Sequence, residues 1–210
     1  MRARSALVVL IASLLAPIAR AEPSFDCAKA QSKAETLICF PEMDLEWLDR
    51  QMARLFKLAK SQPNADRDRL TGEQRAFLGR RDACGADSEC IARVYKERLR
   101  NLASRVNVYE AFGEYRRKPV EMEGAQLWIA RFGADAAIKI YASGGNNHLC
   151  SFEADDAIFT GRGVVKWHSE EKACRMAIVP DGEDMRVEVK GCERYCGARA
   201  RMDGLYGHAR

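Results

Sequence analysis

The sequence is poor in features that announce a chemistry. It has no G-x-S-x-G elbow, no H-E-x-x-H pair and no P-loop, so the signatures of serine hydrolases, zinc proteases and phosphate-cradling NTPases are missing. It has no C-x-x-C, which excludes a thioredoxin-like redox centre. Beyond residue 21 no apolar run approaches the roughly 20 residues that a membrane-spanning helix needs. Excess charge of one sign is also lacking. The formal net charge of +4 includes Arg2, Arg4 and Arg20, and without them 31 basic side chains face 30 acidic ones. A nucleic-acid binder needs a basic footprint that releases counterions from phosphates, and that class is excluded.

What is there begins with an address. Residues 1–21, MRARSALVVLIASLLAPIARA, combine a basic start, a short apolar run over 6–16 and an Ala19-Arg20-Ala21 cleavage site. They read as a cleaved export signal, with the mature chain starting at Glu22. Ser24-Phe25-Asp26 before Cys27 is no lipobox. The expectation is a periplasmic or secreted protein without a membrane span.

Export governs how the eight cysteines are read. Cys27, Cys39, Cys84 and Cys90 form one group and Cys150, Cys174, Cys192 and Cys196 another, which suggests two independently stapled units. Each bridge adds about 2–4 kcal/mol by restricting the unfolded chain. Four cysteines allow three pairings per group; closing short loops favours Cys84 with Cys90, Cys27 with Cys39, Cys150 with Cys174, and Cys192 with Cys196. The C-x-x-x-C at Cys192 is looser than a zinc motif even with His148 and His168 near in sequence, and oxidised sulfur is no metal ligand. No metal or cofactor is expected.

The first half has helical periodicity. Ser32 with Glu35 forms a capping box opening a short helix that ends at Cys39. Pro41 can start the next, where Leu45, Leu48, Met52, Leu55, Phe56 and Ala59 fall on one face. After the breaker SQPNA a third helix spans 66–83 with Leu70, Phe77 and Leu78 inward. A fourth carries Ile91, Val94, Tyr95, Leu99, Leu102 and Val106. Short connections favour antiparallel neighbours and a small helical bundle. Glu35, Gln74, Arg81 and Asp82 invite a catalytic carboxylate–guanidinium reading, but a helix cap and a structural ion pair suffice. Lys96, Arg98, Arg100 and Arg105 read as a solvated helix face.

These residues carry a resemblance. Phe25-Asp26-Cys27-Ala28-Lys29-Ala30, Glu35-Thr36-Leu37-Ile38-Cys39 and Leu45 to Leu48-Asp49 are similar to the opening of the LprI-type lysozyme-inhibitor domain. Gln74 to Phe77-Leu78, Arg81-Asp82-Ala83-Cys84, and Cys90 to Tyr95 and Leu99 continue the pattern over about residues 24–102. Phe77 stands where the family usually has Trp. The resemblance implies an exported, disulfide-bonded helical module that binds and inhibits lysozyme. A second inhibitor class, the MliC type, carries S-G-x-x-Y on a β-barrel; Ser143-Gly144-Gly145-Asn146-Asn147 has Asn where Tyr is required.

The second half loses the helical period. Segments 126–132, 136–142, 149–154, 163–167, 173–179, 185–190 and 198–206 have strand character, with turn chemistry at Gly161-Arg162-Gly163, Asp181-Gly182 and Asp203-Gly204. The fold class is α+β: a disulfide-stapled helical bundle over 22–106, a linker over 107–124, and an antiparallel β-barrel or sandwich over 125–210.

The functional expectation is binding without catalysis, since no assignable acid, base or nucleophile emerges. The partner is a protein, a lysozyme-like hydrolase whose cleft is occluded, with acidic side chains and apolar anchors at the contact. Candidate contact residues are Glu42, Asp44 and Glu46, the loop Asn146, Asn147 and His148, and the acidic turn Asp181, Glu183 and Asp184. The alternatives are a non-inhibitory envelope protein that binds peptidoglycan and a periplasmic immunity protein.

Overall fold

The structure, a computed structural model, describes residues 22–40, 43, 45–106, 112–118, 124–144 and 148–209. The export signal, Glu42, Asp44, Asn146 and Asn147 lie outside the described residues. A 3-10 turn at Cys27–Lys29 precedes helices α1 (Lys33–Ile38), α2 (Leu45–Ser61), α3 (Arg67–Ala83) and α4 (Ser88–Ala103). The capping box forms: Ser32 Oγ accepts from the Glu35 N–H at 3.1 Å, and Glu35 accepts from the Ser32 N–H at 3.2 Å. Asp66 and Asp87 cap α3 and α4 through the Arg69 and Cys90 N–H groups. Gly85 turns the chain out of α3 with φ +61°, a conformation that favours glycine. The expected apolar faces of α2 and α4 are buried against each other, Phe56 only partly. Phe77 meets Tyr95 edge-to-face at 5.1 Å. No described helix is long and apolar enough to cross a membrane.

Strands β1 (Phe112–Lys118), β2 (Ala125–Phe132), β3 (Asp135–Gly144), β4 (His148–Thr160), β5 (Val164–His168), β6 (Arg175–Asp181), β7 (Asp184–Lys190) and β8 (Gly204–His208) follow. Each pairs antiparallel with its sequence neighbours, and β1 pairs with β8 to close a barrel. The segment 107–124, expected as a linker, therefore holds the strand that closes it. Its alternation is hidden because Phe112 packs on the helices while Tyr115 packs inside the barrel. β4 runs past the expected end at 154, and residues 198–203 precede β8, with Ala200 and Met202 still buried.

Cys27–Cys39 and Cys84–Cys90 are disulfides as expected, but the second half pairs Cys150 with Cys196 and Cys174 with Cys192. Strand register overrides loop length here. Cys150 and Cys196 sit opposite each other in a β-bridge, while the β6–β7 ladder brings the flanking Cys174 and Cys192 together. Gly191 (φ +70°) is needed at this junction, since a Cβ would lie 2.1 Å from the Ala173 carbonyl oxygen.

The halves are not independent. The helical core includes Ala130 and Ala137, paired across β2 and β3 on the outside of the barrel and fully buried. Their small side chains let the helices approach the strands, with Phe112, Trp128 and Phe132 around them. The register shift between Ala136 and Ile138 marks a bulge in β4 around Asp155. Asp155 accepts from Arg50 Nε at 3.0 Å and Gln51 Nε2 at 2.7 Å, and Arg54 donates to its backbone carbonyl at 3.2 Å. Arg50 also bonds Glu153.

Replacing Asp155 with Ala leaves the buried Gln51 amide without this acceptor. Urea denaturation is expected to show a loss of about 1–3 kcal/mol, and an unchanged midpoint would contradict this role for the bulge.

Candidate functional site

Glu35, Arg81 and Asp82, singled out from the sequence, form a strut between helices. Arg81 donates to Glu35 at 2.8 Å and to Asp82 at 2.9 Å, and Ser32 Oγ donates to Asp82 at 3.0 Å, so one cluster joins the start of α1 to the end of α3. The Gln31 backbone N–H, then that of Ser32 and the Arg81 guanidinium, hold the Glu35 carboxyl below its ordinary value. Gln74 is spent on packing contacts: its amide meets Met52 Sδ at 3.0 Å and its oxygen accepts from Arg98 Nε at 3.1 Å. Beneath them Asp49 accepts from Tyr95 Oη at 2.7 Å and the Ser24 N–H at 2.6 Å; burial, then the Asp49 charge, pushes the Tyr95 phenol up.

Of the cationic run along and just past α4, Arg100 is exposed as expected, but Arg98 is not part of a solvated face. Arg98 is only 4% exposed and donates to Glu73, Gln74, Asn101 and the Leu70 carbonyl. Arg105 also bonds Glu73, at 2.8 Å. Burial opposes ionisation of Glu73, yet the hydrogen bond from Arg98 and the neighbouring Arg105 and Arg69 keep its pKa lowered. Lys96 and Arg100 converge on Glu114 of β1 at 2.7 and 2.9 Å, tying α4 to the barrel.

The expected contact residues scatter. Glu46 is half-buried at the start of α2. On the connection between α1 and α2, Phe40 and Met43 are 52% and 44% exposed. Asp181 pairs with Arg186, and Asp184 takes Lys118 Nζ at 2.9 Å, so two members of the acidic turn are neutralised. His148 begins β4 and packs over Gly197, with its Nδ1 2.9 Å from where a Cβ there would stand. All eight cysteine sulfurs are taken up in disulfides.

The barrel has unlike ends. One carries both disulfides and is filled by Phe152, Trp167 and Tyr195 in edge-to-face contact. The other, where the β2–β3, β4–β5 and β6–β7 turns lie, opens into a cavity of about 810 Å³. Its walls include Ile129, Phe159, Val165, Pro180 and Met185. Arg131, in the inward register of β2, also lines it, 8% exposed with its guanidinium 3.2 Å from the Phe159 ring centroid. His208 lies tilted against Tyr115, ring centroids 4.5 Å apart, in the same lining. Arg162 and Glu183 stand at the rim. Of these, the sequence singles out only Glu183, in the acidic turn, and names Arg162 as turn chemistry. The available signal was the series Leu127, Ile129, Arg131, but Trp128, Ala130 and Phe132 are apolar too, because helices cover the outer face.

Comparison with protein-family models, with curated proteins and with solved structures found no match to this chain.

Glu35→Gln keeps the cap and removes its charge. Because the folded-state pKa is depressed, the wild-type advantage is present in full above the ordinary value of 4.5 and fades as pH falls through the folded pKa. Thermal melts of both proteins from pH 7 to pH 3 check this: the gap in midpoint is expected to close on acidification, and a constant gap would contradict it.

Proposed function

We propose that this chain is an exported, non-catalytic binding protein that grips a protein partner of the cell envelope. The resemblance of residues 24–102 directs that reading to a lysozyme-like wall hydrolase whose cleft is occluded. The observation that carries it is the paired exposure of Phe40 and Met43 on one short connection. Large apolar side chains held in solvent are the anchors from which interfaces draw most of their energy. The Cys27–Cys39 bridge fixes the residue before Phe40, which lowers the ordering cost of docking. Glu42 and Asp44 interleave with these anchors in the sequence and suit a cationic enzyme.

Two further facts support the reading. Four disulfides suit an oxidising, extracytoplasmic compartment. Glu35, Glu73 and Asp203, whose pKa values are lowered, are held in ion pairs with arginines and serve the packing of the fold at those three positions.

The test is a pull-down of lysozyme by residues 22–210 with a cell-wall hydrolysis assay. Saturable binding with loss of hydrolysis is expected, and Phe40→Ala should weaken binding about 30-fold, the size of an anchor residue's contribution. Sedimentation with insoluble wall material while added lysozyme stays fully active would instead support the peptidoglycan-binding alternative and overturn inhibition.

A further inference from the structure

We propose that the outer wall of the barrel over β5, β6 and β7, with the exposed end of β4, docks on the surface of an anionic phospholipid bilayer. It shares no residue with the Phe40 and Met43 surface, so either proposal can fail alone. The helices lean on β1 to β4, through Phe112, Ala130, Ala137 and Asp155. Alternation decides what the wall beyond them presents. Val165, Ile178 and Val187 are buried inside the barrel, so Lys166, Ala177 and Glu188 beside them face outward.

Register builds a row of basic side chains on that wall. His168 of β5 stands opposite Arg175 of β6, and Arg175 opposite Lys190 of β7. All three are exposed, and Lys166 adds a cation on the same face of β5. Like charges directly opposite, as Arg175 and Lys190 are, destabilise a sheet. The carboxylate that could relieve them, Glu188, is paired in register with Ala177 instead. Lys166, Arg175 and Lys190 form no ion pair with a described residue. Nearby, Asp181 is taken by Arg186, and Asp156 accepts from the Trp167 indole N–H at 2.8 Å. The three cations and Glu188 surround a shallow depression of about 340 Å³, and that balance suits a negatively charged partner.

Charge alone would also suit an acidic polypeptide. The apolar end of the same face selects the bilayer. Ile158 is 56% exposed, the most of any large apolar side chain among the described residues, and stands directly opposite Lys166. Val164 and Val179, outward by alternation with Val165 and Ile178, continue this apolar surface towards the β4–β5 turn. The basic row lies at the other end of the same strands. A bilayer surface meets both ends at once, with acyl chains beneath the headgroups for apolar side chains and phosphates for the cations. Lysine and arginine stems lie along the apolar zone while their heads reach the phosphates.

The experiment floats residues 22–210, disulfides intact, with lipid vesicles. Vesicles of phosphatidylglycerol and phosphatidylcholine in equal parts are expected to carry the protein, and pure phosphatidylcholine vesicles to leave it behind. Arg175→Gln and Lys190→Gln should each lower partition about fivefold, the scale of one cation at an anionic surface. Ile158→Ser, which keeps every charge, should lower it by about the same factor. Glu188→Gln should raise it, a gain that misfolding cannot mimic, and Phe40→Ala should leave it unchanged. Equal flotation with both vesicle types, or undiminished binding by Ile158→Ser or by Arg175→Gln combined with Lys190→Gln, would overturn the proposal. Retention on immobilised polyglutamate as strong as on the anionic vesicles, and indifferent to Ile158→Ser, would assign the face to an acidic polypeptide and overturn it too.

Discussion

The structure depends on a floor that the helices borrow. Their core includes Ala130 and Ala137 on the outer face of β2 and β3, so the barrel completes the burial that α2 and α4 begin against each other. Polar contacts then fix how the layers meet. The β4 bulge offers Asp155 to Arg50 and Gln51, while Glu114 takes Lys96 and Arg100. Hydrophobic burial is non-directional, whereas these pairs admit one seating of helix on strand. Together they join the helical and the barrel core along one face of β2 and β3.

Crosslinks distribute rigidity unevenly over that body. In the helical half, Cys27–Cys39 holds the start of the α1–α2 connection and Cys84–Cys90 braces the turn between α3 and α4. In the barrel both bridges gather at one end, where aromatic rings fill the interior. The uncrosslinked end keeps the cavity.

Much of this was legible in the residues, and the failures have physical causes. The heptad-like stripe of α2, the Ser32–Glu35 box and the switch to strand-forming segments after residue 125 each rest on local rules, and the structure follows them. Non-local facts were hidden. β1 has apolar residues on both faces because it touches two cores, so neither a period of 2 nor a helical period shows. The same double burial masked Arg131, and pairing Cys150 with Cys196 needs a register that only the closed sheet defines. Arg98 looked like surface because a long cation on an amphipathic helix ordinarily is; only the approach of Glu73 and Gln74 makes it interior.

The shared core is the claim on which the rest turns, and the three tryptophans report on it separately: Trp47 in α2, Trp128 at the junction and Trp167 within the barrel. Fluorine NMR of 5-fluorotryptophan-labelled protein through a urea titration tests it most directly, with disulfides kept oxidised. All three resonances are expected to leave their native positions at one midpoint. Loss of the native Trp47 signal at lower urea than that of Trp167 would show that the helices melt away from an intact barrel and would contradict the account.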